Sequence, residues 1–219
     1  DFAIRLADQL EQLILAEGAY LGPWAVRLVY GLGARHYDEV RAAAQPPADA
    51  VLQAHLAGAL AHLAAPRILD VATGTGRLPL LVRSGPARAA LVAALDLTPQ
   101  MLAVARRKER ALGGPPVGWL VGEAGAQPWP DSCFDLVTCL EALEYFPRPR
   151  RALAEMARAL RPGGALIVSK WPDGWARLLP GRAFTARALE RELSRLGLVD
   201  LTVRPWQPGH YELVMARKV

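Results

Sequence analysis

Residues 67–77 read Arg-Ile-Leu-Asp-Val-Ala-Thr-Gly-Thr-Gly-Arg, and this segment limits the available folds more than any other in the chain. A short apolar run carries an acid at Asp70, passes two glycines, Gly74 and Gly76, and enters a helical pattern at Leu78. That is a strand–turn–helix unit, in which glycines let the backbone turn tightly and approach a ligand closely. In an open α/β sheet such turns lie at the carboxyl ends of the strands, where ligands bind. A nucleotide-binding dehydrogenase is the first competitor, and three features count against it. The third glycine of a G-x-G-x-x-G pattern would fall at position 79, which is Pro79. No Lys-Ser or Lys-Thr pair follows the glycines, so the turn is not a phosphate-cradling loop. Asp70 would repel a pyrophosphate, whereas it suits a ligand that carries an ammonium group.

The flanking sequence builds a sheet around this unit. Up to about Pro66 the pattern is helical. Leu6, Leu10, Leu13 and Ile14 recur at helical spacing, and Pro23 and the Pro46-Pro47 pair punctuate the segment. From Arg67 onward, short apolar runs alternate with helical stretches. Strands are expected at 68–72, 90–95, 117–121, 134–140, 165–170, 199–204 and 211–216, and helices at 78–83, 99–112, 149–160 and 186–196. Thr98 and Pro99 open the second of these helices and Gly113 closes it; Pro162-Gly163-Gly164 stops the third; Thr185 and Gly197 bracket the last. The alternation predicts a mainly parallel sheet with helices on both faces. The link at 205–209 is too short for a parallel crossover, which needs about a dozen residues, so one edge should contain an antiparallel hairpin strand. At 219 residues the chain fits one structural domain. Residues 1–65 would form a helical extension, or lid, packed on a core of residues 66–219.

Net charge is +5 and the isoelectric point about 9.6, which raises the question of nucleic acid. Yet three of the 26 basic residues are lysines, and the arginines are scattered. The densest groups, Arg106-Arg107-Lys108 and the arginines of 148–151, alternate with helix formers and read as solvated helix faces. Nucleic acid is therefore not the expected partner. Cys133 and Cys139 form no C-x-x-C pair and have no histidine neighbour in sequence. They suit two reduced thiols in a cytoplasmic protein, with no metal site. No run of about 18 uncharged apolar residues occurs, so no membrane span is expected. The chain opens on Asp1-Phe2 without a basic-then-apolar leader pattern, and a trimmed start is expected.

Two further acids extend the pattern begun by Asp70. Asp96 comes twenty residues after Gly76, at the end of the second strand, a placement that suits a carboxylate accepting from ribose hydroxyls. Glu123 follows the third strand, placed to meet an adenine amino group. Each alone could be a surface acid. Three at successive strand ends lie side by side in such a sheet.

With these residues in view, the segment from Asp70 to Gly76 resembles motif I of the class I S-adenosylmethionine-dependent methyltransferases, nearest to the quinone-biosynthesis C-methyltransferases and their small-molecule relatives. The run Asp96-Leu-Thr-Pro-Gln-Met101 resembles the segment that follows motif I. Residues 122–135, the Leu143-Glu-Tyr-Phe-Pro stretch and the run that ends at Gly164 complete the likeness, which covers about 66–217. Departures are Glu123 where Asp is common, Tyr145 and Arg148 where many relatives have a His-x-x-Asp-like segment, and Gln127 and Trp129 in place of Leu and Phe. The resemblance implies a Rossmann-like, seven-stranded, mostly parallel sheet with one antiparallel edge strand. It implies that Asp70 and Ala72, Thr73, Gly74 and Gly76 hold the methionine part of S-adenosylmethionine and Asp96 the ribose. Leu97 and Met101 would flank the adenine, Glu123 and Ala124 would meet its edge, and Leu140 would complete the site.

Methyl transfer from a sulfonium is an in-line displacement that leaves S-adenosylhomocysteine. The cofactor brings the reactivity and the protein supplies alignment and a dry site. A base is needed where the acceptor must lose a proton early. Glu141 and Tyr145, just past the fourth strand, and His36 and Tyr37, from the N-terminal helices, are the candidates, with packing or positioning the competing role for each. Tyr37-Asp38 also resembles the Tyr-Asp that many relatives place in a cofactor lid. Aromatics at Tyr20, Trp24, Tyr30, Trp171 and Trp175 suggest an aromatic or quinone-like small-molecule acceptor, though core packing accounts for them equally well. An RNA or protein methyltransferase and a non-catalytic binding module are the alternatives. The acceptor atom and the oligomeric state are not encoded in any motif.

Overall fold

This computed structural model describes residues 22–44, 49–84, 91–178, 180 and 183–219. The helical spacing at 6–14, Tyr20 and the Pro46-Pro47 pair lie outside the described residues. The elements run α1 (Pro23–Gly33), α2 (Tyr37–Ala44), α3 (Asp49–Leu60), β1 (Arg67–Val71), α4 (Arg77–Ser84), β2 (Leu91–Asp96), α5 (Pro99–Leu112), β3 (Gly118–Val121) and β4 (Phe134–Cys139). A single 3-10 turn at Leu143–Tyr145 leads to α6 (Pro149–Ala159), β5 (Leu160–Lys170), the short α7 (Asp173–Ala176), α8 (Ala186–Arg195), β6 (Leu198–Gln207) and β7 (Tyr211–Lys218).

The seven strands form one sheet in the order β3-β2-β1-β4-β5-β7-β6. The ladders from β3 to β5 are all parallel, and β7 runs antiparallel to both β5 and β6. The hairpin expected at one edge is therefore present. Its second strand, β7, turns back and inserts between β5 and β6, so the reversed strand is next to the edge and β6 is outermost. The cause is the length of the link: the chain turns at Pro208-Gly209-His210 and has no room for a crossover.

Central strands are buried on both faces, as a parallel sheet covered by helices requires. Every residue of β4 is buried, as are the last four of β1. Alternate side chains divide between two cores. Leu69, Val71, Leu95 and Val137 pack with Leu153 and Met156 of α6 and Leu189 and Leu193 of α8. Ile68, Val92, Leu136 and Ile167 face Leu52, Leu56 and Leu60 of α3 and Leu78 and Val82 of α4. A third, small cluster joins Ala34 to Met101 and Val104 of α5, with Tyr30 and Tyr37 against it. This cluster seats α1 and α2 over the carboxyl end of the sheet.

Several local expectations are corrected. Pro162-Gly163-Gly164 does not end an element but lies within β5, in a bulge where the register against β4 shifts from Phe134↔Leu160 to Leu136↔Ala165. Gly164 is needed there, because a Cβ would sit 2.9 Å from the Arg161 carbonyl and 3.1 Å from that of Asp135. Thr98 occupies the N-cap position of α5 without a side-chain cap bond. The Thr185 hydroxyl, by contrast, accepts from the Ala188 amide and caps α8 as expected.

Candidate active site

A cleft of about 590 Å³ opens at the carboxyl ends of β1, β2, β3 and β4 and is roofed by α1 and α2. That volume lies within the roughly 300–1,000 Å³ of small-molecule sites. Asp70, Ala72, Thr73, Gly74, Asp96, Leu97, Met101, Glu123, Ala124 and Leu140 all line it, together with Tyr37, Glu141 and Tyr145. Ten of the eleven expected cofactor residues therefore come to one cavity, from four separate stretches of sequence.

The eleventh, Gly76, does not line the cleft, and its reason for being glycine is packing. Its φ is +81°, and a Cβ would stand 2.6 Å from Trp119 Cη2 and 3.0 Å from the Ala105 methyl. Gly76 lets the turn nest against β3 and α5. Gly74 has φ +56° with open space around its Cβ position. Its amide donates to Asp96 Oδ2 at 2.7 Å, and the Thr98 amide donates to Asp96 Oδ1 at 2.8 Å. Asp96 thus ties the glycine turn to the start of α5, and each oxygen keeps a second lone pair for another donor.

Asp70 is buried, and the Thr138 hydroxyl donates to its Oδ1 at 2.6 Å. Burial raises its pKa to about 7, with the Thr138 bond pulling the other way. A carboxyl held in that state gains most from a cation that would settle beside it. The buried Thr73 hydroxyl acts on Asp70 but meets the geometry of a hydrogen bond with no described residue. A buried polar atom on a cleft wall without a partner is where a ligand's polar group fits.

The four candidate bases differ sharply. His36 is exposed, contacts Glu39 at 3.2 Å and does not reach the cleft. Tyr37 lies under the roof near Tyr30, ring centroids 6.2 Å apart, and burial pushes its hydroxyl well above the ordinary tyrosine value. Glu141 is held rather than free. Arg41 donates to it from Nε at 3.1 Å and Nη2 at 2.8 Å, Arg77 Nη1 at 2.9 Å and Gln207 Nε2 at 2.8 Å. Its backbone adopts φ +55°, rare for a residue with a Cβ, and its amide donates to Ser169 Oγ at 2.6 Å. With its oxygens engaged by two guanidiniums and an amide, Glu141 fastens the roof to the core. Tyr145 faces the cleft, packs edge-on to Tyr30 at 6.2 Å and is raised well above the usual range, mainly by burial.

Sequence reasoning missed most of what surrounds Glu141. Arg77 directly follows the glycine turn and could have been flagged by that position. Its guanidinium pairs with Asp49 at 2.7 Å as well as with Glu141, and lies 5.2 Å from the Trp206 ring. Arg41, Gln207 and Ser169 have no local signal. Asp38 accepts from the Thr75 hydroxyl at 2.6 Å and from Lys108 Nζ at 2.9 Å, a second clasp between α2 and the core. Among the described residues no group of His, Cys, Asp and Glu could hold a metal ion, and no helix is long and apolar enough to cross a membrane.

Comparison with known proteins agrees with this geometry. Residues 69–168 match the family described as the methyltransferase domain. A demethylmenaquinone methyltransferase of Thermus thermophilus is 45% identical over 106 residues, covering 48% of this chain and 47% of that one. This chain thus spans about half the length of the first curated relatives it matches. A malonyl-[acyl-carrier protein] O-methyltransferase of Methylococcus capsulatus is 32% identical over 90% of this chain and 78% of its own. Among solved structures, a SAM-dependent methyltransferase from Aquifex aeolicus superposes with a TM-score of 0.58 at 24% identity, over 70% of this chain and 82% of that one, and shares the fold.

Proposed function

The chain belongs to the methyltransferase-domain family, and from that premise we propose that it transfers a methyl group from S-adenosylmethionine to a small-molecule acceptor, releasing S-adenosylhomocysteine. The observation that carries this reading is the row of three carboxylates, Asp70, Asp96 and Glu123, along one wall of a single cleft. They match the three donor groups of the cofactor in order: ammonium, ribose hydroxyls and adenine amino group. The buried Asp70 and the unpartnered Thr73 hydroxyl suit the methionine end, with Ala72 and Gly74 supplying close backbone. Asp96 takes the ribose, Leu97 and Met101 the adenine faces, and Glu123 and Ala124 its edge, with Leu140 closing the wall.

Bound there, the cofactor supplies an electrophilic methyl group for in-line displacement. The residues of this chain align the two reactants and keep water out. We also propose that the helices before residue 66 act as a lid. The Arg41–Glu141 pair and the Thr75–Asp38–Lys108 clasp would hold it shut. Rings of Tyr30, Tyr37, Tyr145 and Phe146 face the cleft, which favours an aromatic or quinone-like acceptor, in keeping with the name of the Thermus relative. A cytoplasmic setting suits two free cysteines.

Calorimetric titration tests the reading. Wild type should bind S-adenosylmethionine and S-adenosylhomocysteine, with NAD as the negative control. Asp96→Ala should weaken both by about 2 kcal/mol, roughly thirtyfold, through loss of a charged acceptor. A folded wild type that binds neither would overturn the proposal.

A further inference from the structure

Three tyrosines converge where the roof meets the sheet. Tyr30 of α1 stands between Tyr37 of α2 and Tyr145 of the 3-10 turn after β4, its ring centroid 6.2 Å from each of theirs. The interplanar angles are 56° and 76°, so the rings meet as the walls of a corner rather than as a stack. All three are half-buried and line the cleft. Tyr30 and Tyr37 are backed by Ala34, Met101 and Val104, and Tyr145 by the core that holds Leu136 and Ile167.

Hydrogen bonds from neighbouring residues fix where this corner stands. Asp38, beside Tyr37, accepts from the Thr75 hydroxyl at 2.6 Å, which sets Tyr37 over the glycine turn that follows β1. Arg41, one helical turn further on, donates to Glu141 at 2.8 Å and ties the same helix to the end of β4. Arg27, one turn before Tyr30, donates to the Leu97 carbonyl at 3.0 Å, at the end of β2. The corner therefore lies over the carboxyl ends of β2, β1 and β4, which are adjacent in the sheet. In the proposed site the cofactor's ammonium group meets Asp70 on β1 and its ribose meets Asp96 on β2. The sulfonium is bonded between those two parts, so it would fall beneath the rings.

Leucines would fill the same space as well. What the rings add is the negative potential of their faces, which attracts a cation within about 6 Å of the centroid and does so more strongly where water is excluded. Burial holds all three hydroxyls well above the ordinary tyrosine value, so the rings meet a cation as neutral phenols. We propose that Tyr30, Tyr37 and Tyr145 form an aromatic corner that reads the positive charge of the sulfonium, so that the roof closes on S-adenosylmethionine and slackens on the neutral S-adenosylhomocysteine. The inference rests on the methyltransferase reading and adds to it a means of telling fresh cofactor from spent. Two of the three rings belong to the roof and one to the sheet, so a cation between them ties the two together. Loss of the charge on methyl transfer removes that tie and favours product release.

The test compares three ligands by calorimetry on the full chain: S-adenosylmethionine, S-adenosylhomocysteine, and sinefungin, which carries an ammonium group at the sulfonium position. Wild type should bind the two cations about tenfold more tightly than S-adenosylhomocysteine. Tyr30→Leu and Tyr145→Leu should each cut that preference at least about threefold while S-adenosylhomocysteine affinity, the check on folding, stays within about threefold of wild type. Tyr145→Leu gives the reading from the sheet side if Tyr30→Leu fails to fold. Tyr30→Phe keeps the ring and should keep the preference. Trypsin cleavage at Arg35, exposed between α1 and α2, should be slower with saturating sinefungin than with saturating S-adenosylhomocysteine, and the difference should shrink in the leucine variants. The aromatic corner is overturned if wild type binds S-adenosylhomocysteine as tightly as sinefungin, if folded leucine variants keep the full preference, or if Tyr30→Phe loses it. Failure of folded wild type to bind any of the three would instead strike the methyltransferase reading.

Discussion

The two ends of the cleft are built in opposite ways. At the proposed cofactor end, Asp70, Asp96 and Glu123 lie at the carboxyl ends of β1, β2 and β3, which are consecutive in the chain and adjacent in the sheet. At the other end, side chains meet from distant parts of the chain. Arg41 reaches Glu141 across 100 residues, Gln207 reaches it across 66, and Tyr211 reaches Glu144 across 67. The first end is a property of a motif, and the second a property of the completed fold. In the proposed function, the ligand common to many such proteins is met by the first. Whatever distinguishes this one is met by the second.

The largest expected effect attacks the assembled end. Glu141→Ala leaves two guanidiniums without their shared carboxylate, and should cost about 3 kcal/mol in chemical denaturation. It should also loosen the roof, read as faster proteolysis between α1 and α2. If stability barely changes, the cluster is a set of solvent-screened pairs and the contrast between the two ends weakens. Next comes Gly76→Ala at the motif end. A methyl directed at Trp119, on a backbone with φ +81°, should cost about 2 kcal/mol. Affinity of the folded fraction for S-adenosylhomocysteine should stay within about threefold, since Gly76 packs and does not line the cleft; a large loss would restore it to the binding wall.

A smaller effect follows from Asp70. Its carboxyl, raised to about 7, must give up a proton to pair with an ammonium group, so affinity for S-adenosylhomocysteine should rise roughly tenfold from pH 6 to pH 8. Asp70→Asn should flatten that part of the profile. Because the folded state holds a proton that the unfolded chain gives up, the ligand-free fold should lose stability as pH rises from about 4 through about 7. The smallest expected effect is at His36. Exposed and outside the cleft, His36→Ala should shift stability by less than about 0.5 kcal/mol and leave ligand affinity unchanged.

What could be read from the sequence follows the same division. Strand–turn–helix punctuation fixes β1, α4, β2 and α5 within a residue or so, because apolar runs, glycines and the Thr-Pro start act locally. The three acids were legible because strand ends are. The Pro-Gly-Gly run was misread as a stop, since local propensity cannot see that a β4 register shift makes room for a bulge. Glu141 invited a reading as a base because its hydrogen-bond partners come from α2, α4 and β6, and no spacing rule links those segments. Glu144 and Tyr211 left no signal at all: each is an ordinary residue in an apolar stretch until the sheet closes.

The insertion of β7 between β5 and β6 also bears on how the molecule is made. The ribosome releases β6 before β7, yet the ladder partner of β6 is β7. During synthesis β6 must wait beside a half-built sheet, and the amino-terminal motif can fold well before it. Because β7 runs against β5, its first residues, Tyr211 and Glu212, arrive at the sheet end that carries the cleft. A nascent chain could therefore own all the side chains that line its cleft while Gln207 and Tyr211, which brace Glu141 and Glu144 from behind, are still inside the exit tunnel, so that the cleft is shaped before it is fastened.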